Sequence, residues 1–142
     1  MEKAEDTDNG ITFIISPQDR IRTARYRGTV DDESLLAAYV GLITAPDFDP
    51  AVDDIVDLRD VSNLDITHEG MRRLVARVAE LDILGFRTRV ALVAPTNVAF
   101  GMGRMYELLR GTVRNTTEDI RVFREFDEAV RWLRGNGTGR ET

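Results

Sequence analysis

Residues 90–95 read Val90-Ala91-Leu92-Val93-Ala94-Pro95, five consecutive apolar residues stopped by a proline. A run this short without alternation is what a strand buried on both faces looks like, and such strands belong to parallel sheets covered by helices. The pattern predicts an α/β fold with this strand at its centre. Before it, Thr67 to Leu81 repeats Met71, Leu74, Val75 and Val78 at helical spacing against Arg72, Arg73, Arg77 and Glu80, and Gly85 marks the exit. After it, Thr96 or Asn97 is placed to cap a third helix, whose expected core stripe is Val98, Met102, Met105 and Leu109.

Further out, Ile55-Val56-Asp57-Leu58 reads as a short strand running into a polar segment, Arg59 to Asp65. A helix is expected from Thr29, with Asp31, Asp32 and Glu33 suiting its positive end and Leu35, Tyr39, Leu42 and Ile43 as its buried stripe. Ile11 to Ile15 alternates up to a turn at Ser16-Pro17-Gln18-Asp19. Ile21 to Arg27 follows as a strand with one wet face, broken by Gly28. Ile120 to Phe123 is the last strand, leading into a helix with Phe126, Ala129, Val130 and Leu133. The order is β-β-α-β-α-β-α-β-α. It predicts a mostly parallel sheet of about five strands with an N-terminal antiparallel hairpin and about four helices.

The 142 residues suffice for one core. A single domain is expected over residues 11–134, flanked by a disordered acidic lead-in at 1–10 and a disordered polar tail at 135–142. With 42% hydrophobic and 31% charged residues the composition is that of a globular chain, and no apolar run approaches the ~20 residues of a spanning helix. Met1 to Gly10 lacks the basic-then-apolar pattern of a secretion signal, so a cytoplasmic location is expected. The absence of cysteine excludes disulfides, thiolate metal ligands and cysteine nucleophiles. A net charge of -6 argues against nucleic acid and against anionic membranes as partners.

The stretch Asp57-Leu58-Arg59-Asp60-Val61-Ser62-Asn63-Leu64-Asp65-Ile66-Thr67 resembles the central motif of STAS domains, the anti-sigma-factor antagonist fold. There a strand ends in Asp-Leu and an Asp-Ser-Ser-Gly turn opens the next helix. Ala94-Pro95, Phe100 to Tyr106 and Phe123 to Leu133 are similar to SpoIIAA-like, STAS/SEC14-type bacterial proteins of uncharacterised function. The resemblance implies a STAS-like domain that binds a kinase-like or sigma-regulator protein, with Thr67 at the position of the family's phosphorylated serine and Ser62 as a second acceptor. It puts Asp57, Asp60, Asp65 and His68 on the partner-binding loop. Ile66 stands where the family has its first serine, and His68 where it has glycine. Two readings are open: Asp65 or Thr67 simply caps the helix, or Thr67 accepts a phosphate over the helix's free N–H groups.

Catalytic and metal patterns are thin. The acidic series from Asp47 to Asp65 lacks the glycine and final glutamate of a calcium loop, and His68 is the only histidine. Gly101-Met102-Gly103 lacks the third glycine of a dinucleotide loop, because Tyr106 stands there. No enzyme activity, metal or cofactor is expected. Phe100, about 200 degrees from Val98 around the helix, points away from the stripe. With Met102, Met105 and Tyr106 it forms a candidate homodimer interface or ligand groove. The sequence therefore supports a non-enzymatic, protein-binding regulatory module. The alternative is a small-molecule or lipid-binding module using an apolar groove near the third helix.

Overall fold

The computed structural model describes residues 10–81, 88–112 and 118–135. Its strands are β1 (Ile11–Ser16), β2 (Ile21–Asp31), β3 (Asp53–Asp65), β4 (Thr88–Val93) and β5 (Glu118–Phe123). They form one sheet in the order β1-β2-β3-β4-β5. β1 pairs with β2 antiparallel, and every later pair is parallel. The helices are α1 (Asp32–Ile43), α2 (His68–Leu81), α3 (Asn97–Gly111) and α4 (Phe126–Arg134). The element order is the one read from the sequence. Val90 to Ala94 are all buried, yet β4 is the fourth strand and the middle place belongs to β3.

Apolar side chains of α1, α2 and α3 pack with Ile11, Ala24, Tyr26 and Val30 on one face of the sheet. On the other face, Ala129 and Leu133 of α4 pack with Ile21, Ile55, Ala91 and Val93. Each helix start has a local cause. Asp31 caps α1 by accepting from Ser34 N at 2.9 Å while its own N–H donates to Ser34 Oγ at 3.0 Å, and Thr96 Oγ1 accepts from Ala99 N at 3.1 Å ahead of α3.

Three expectations are corrected. Gly28 does not end β2: its φ of 73° lies in the left-handed region, where it accommodates a register shift of the β2–β3 ladder, and the strand resumes through Thr29 to Asp31. The polar stretch 59–65 is accordingly strand, because Val61, Asn63, Leu64 and Asp65 pair with Gly28, Thr29, Val30 and Asp31. Of the stripe expected on α3, Met102, Met105 and Leu109 pack against the core but Val98 is 65% exposed, and the fully buried residues of the helix are Ala99, Gly103 and Arg110. Small residues are among them because the helix lies close to the sheet: a Cβ on Gly103 would come within 3.1 Å of Val122 Cγ1.

The expected exit at Gly85 and the segments 1–9 and 136–142 lie outside the described residues. Among the described residues, no helix is long and apolar enough to cross a membrane.

Candidate functional site

The stripe expected on α1 is only half-buried: Leu35, Tyr39, Leu42 and Ile43 are each partly exposed, and no residue of this helix is fully enclosed. A partly open cavity of about 110 Å³ lies beneath it. Its floor is the sheet, at Phe13, Ala24, Tyr26 and Val56; α1 supplies Leu35, Ala38 and Tyr39. Met71 and Leu74 of α2 and Met102 and Tyr106 of α3 complete the walls. One water needs roughly 10–15 Å³ of such space, so the void is several waters large, yet its apolar walls offer water few partners.

Among the described residues, the one charged side chain on the wall is Asp54, and Arg22 holds it. Arg22, 4% exposed, donates from Nε and Nη2 to the two Asp54 oxygens at 2.7 and 3.0 Å. Its Nη1 donates to the Asp49 carbonyl at 3.1 Å, and its guanidinium lies 4.7 Å from the Phe48 ring centre. The alternation of β2 puts Arg22, Ala24 and Tyr26 on the same face, so a strand that looks wet in sequence carries its arginine into an enclosed ion pair. Burial first, then the Asp54 charge, hold the Tyr26 phenol well above the usual tyrosine range.

A second polar junction ties α1 to α2. Thr67 donates from its N–H to Asp32 Oδ1 at 2.9 Å and from Oγ1 to Asp32 Oδ2 at 2.6 Å, while Oγ1 accepts from Gly70 N at 2.9 Å. Thr67 thus caps α2. A Cβ at Gly70 would overlap the Asp32 carboxylate, so the glycine is what admits it. Asp32, read in sequence only as a favourable charge at a helix start, is the residue that sequence reasoning missed. Its partner lies 35 positions away.

The four residues of the expected partner-binding loop separate. Asp57 is 1% exposed and accepts from Arg59 Nε and Nη2 at 3.0 and 2.9 Å and from Arg59 N at 3.1 Å. That bond chiefly raises the Arg59 pKa, and its guanidinium sits 4.3 Å over the Phe126 ring. Asp60 is exposed with Arg25 Nε 3.7 Å away; Ser62 and Asp65 are exposed on the second half of β3, and His68 is exposed at the start of α2.

On α3, Met102 and Tyr106 face the cavity and Met105 packs against the same core. Phe100 lies 4.4 Å under the Arg124 guanidinium, at the far end of β5. Among the described residues, no three His, Cys, Asp or Glu side chains converge to hold a metal ion.

No family model matches the chain, and no curated protein matches it. The crystal structure of an uncharacterized protein from the DUF3478 family with a SpoIIAA-like fold, from Shewanella loihica PV-4, is similar to it. The identity is 13% and the TM-score 0.48, over 94% of this chain and 92% of that one.

Proposed function

We propose that this chain is a non-enzymatic binding module that takes an apolar molecule, such as the end of a lipid chain, into the cavity beneath α1. The observation that carries this reading is the 110 Å³ void with its almost wholly apolar wall. Side chains lining such a space lack apolar contacts on one side. A ligand that fills it restores those contacts and stabilises the fold by mass action. The test is thermal unfolding with and without a six- to eight-carbon hydrocarbon, on the native chain and on Ala38→Leu, which projects a larger side chain into the space. The native chain is expected to melt higher with ligand. The variant is expected to melt higher without it and to lose the ligand's effect; an equal ligand shift in both proteins overturns the reading.

A second reading, a regulatory module that binds a kinase-like or sigma-regulator protein, is favoured by the Thr67–Asp32 bond. Thr67 is exposed, and a phosphate on it would bring a charge of about -1.5 to -2 against the Asp32 carboxylate. Modification would undo the tie between α1 and α2, and so loosen the helix that roofs the cavity. Asp65 and His68 lie exposed on either side of Thr67 for a partner to contact, with Asp60 exposed further back along β3 and Ser62 as the second acceptor. A homodimer through α3 would cover Val98 and Leu108, both largely exposed. Phosphate mapping of the chain purified from its own host, together with the proteins that accompany it, tests this second reading.

A further inference from the structure

All three tyrosines of the chain line the cavity. Tyr39 and Tyr106 have interactions of their own, whereas the Tyr26 hydroxyl makes no hydrogen bond with any described residue. Tyr26 is nevertheless only 5% exposed. A hydroxyl set in an apolar wall and reached only by water favours a ligand that supplies a hydrogen-bond partner over one that does not. We propose that Tyr26 is the polar anchor of the cavity, donating to an uncharged acceptor oxygen, a ketone or ester carbonyl, on an otherwise apolar ligand. This rests on the reading of the cavity as a ligand site.

The wall's charges decide the class. Among the described residues, no cationic side chain lines the cavity. The nearby guanidinium of Arg22 is engaged at Nε and Nη2 by Asp54 and at Nη1 by the Asp49 carbonyl. A ligand carboxylate would thus be stripped of water beside the Asp54 carboxylate, with no cation among the described residues committed to it. A ligand ammonium would have to compete with Arg22 for an Asp54 already bonded through both oxygens. A neutral carbonyl meets neither obstacle, and it accepts the one bond that Tyr26 can give. A phenol is protonated, and therefore a donor, throughout the physiological range, and burial of Tyr26 moves its pKa further from that range.

The test compares three probes of matched size by ligand-observed NMR titration: 2-octanone, 2-methyl-1-octene, in which a CH₂ replaces the ketone oxygen, and octanoate. The native chain is expected to bind the ketone roughly five- to tenfold tighter than the alkene, the worth of one hydrogen bond, and tighter still than octanoate. Tyr26→Phe is expected to abolish the preference for ketone over alkene while leaving alkene affinity unchanged. Without ligand, it should melt no lower than the native chain. No ketone preference in the native chain, a preference that survives in Tyr26→Phe, or octanoate as the best ligand overturns the anchor and leaves the cavity reading standing. A lower melting temperature for unliganded Tyr26→Phe also overturns it, since the hydroxyl would then have an internal partner. Failure of all three probes to bind the native chain removes the cavity reading, and the anchor with it.

Discussion

The carboxylate of Asp32, the first residue of α1, receives both the backbone N–H and the hydroxyl of Thr67, the residue before α2. Two helix starts that are far apart in sequence therefore share one anion. That anion sits over Gly70 because no side chain there excludes it.

Gly70→Ala is expected to destabilise the chain by about 2 kcal/mol, because the new methyl group displaces the Asp32 carboxylate and breaks the shared bonds. In an Asp32→Ala background the same change should be neutral or favourable by up to about 1 kcal/mol, as alanine is the better helix former. Urea unfolding of the four proteins in the cycle measures the coupling. Additive effects would mean that Gly70 is not there to admit Asp32.

Thr67→Val removes both hydroxyl bonds and is expected to cost about 1 to 2 kcal/mol, the range for a lost helix cap. Thr67→Glu places a second carboxylate against Asp32 and should be less stable than Thr67→Val. The difference should shrink as salt screens the two charges. Chemical denaturation at two ionic strengths checks the order; a Glu variant as stable as the native chain would remove the basis for a phosphate-driven release of α1.

Asp31 has a pKa lowered mainly by the Ser34 N–H, and then by the Ser34 hydroxyl. A carboxylate with a depressed folded value contributes stability that is fully present above its unfolded value, near 3.8, and is lost as pH falls through the folded value. The stability gap between the native chain and Asp31→Ala should therefore be constant from pH 5 to 7 and narrow below pH 4. Unfolding curves across that range read it directly, and a gap that widens in acid contradicts the capping geometry.

Gly101 and Gly103, two residues apart on α3, should respond differently to alanine. A Cβ at Gly101 meets open space, so Gly101→Ala should stabilise by about 1 kcal/mol through helix propensity alone. At Gly103 the same gain is set against Val122 methyl groups at 3.1 and 3.3 Å and Leu92 Cδ1 at 3.5 Å. Gly103→Ala should be the less stable of the two by at least about 1 kcal/mol. Thermal melts of both variants decide it.

These contrasts indicate what the sequence can convey. The runs at 11–15, 55–58, 90–94 and 120–123 announce strands because burial demands apolar side chains, and their spacing announces the helices between them. Arg59 to Asp65 does not announce a strand, since backbone pairing with Thr29 to Asp31 holds it and asks little of its side chains. The fully buried residues of α3 escaped because Ala99 and Gly103 weigh little in any tally of apolar residues, while Val98 weighs much. Thr67 stood out through a motif. Asp32 did not, because its role exists only once two distant helix starts meet. The cavity is an absence of atoms, and every residue around it looks like ordinary core when read singly.

In the sheet, each strand lies beside its immediate predecessor in the chain. No strand has to await a partner made much later, and each pairing closes only the loop through one intervening turn or helix. Loop closure is less costly in that arrangement than between strands more distant in the chain. The unit β1-β2-α1-β3 can thus collapse from the first half of the sequence before α3 arrives. The hollow beneath α1 then begins as an open trough. Its far wall, Met102 and Tyr106, is encoded in the second half of the chain, so the trough has no far wall until α3 packs, an interval in which a hydrophobic guest could enter during synthesis.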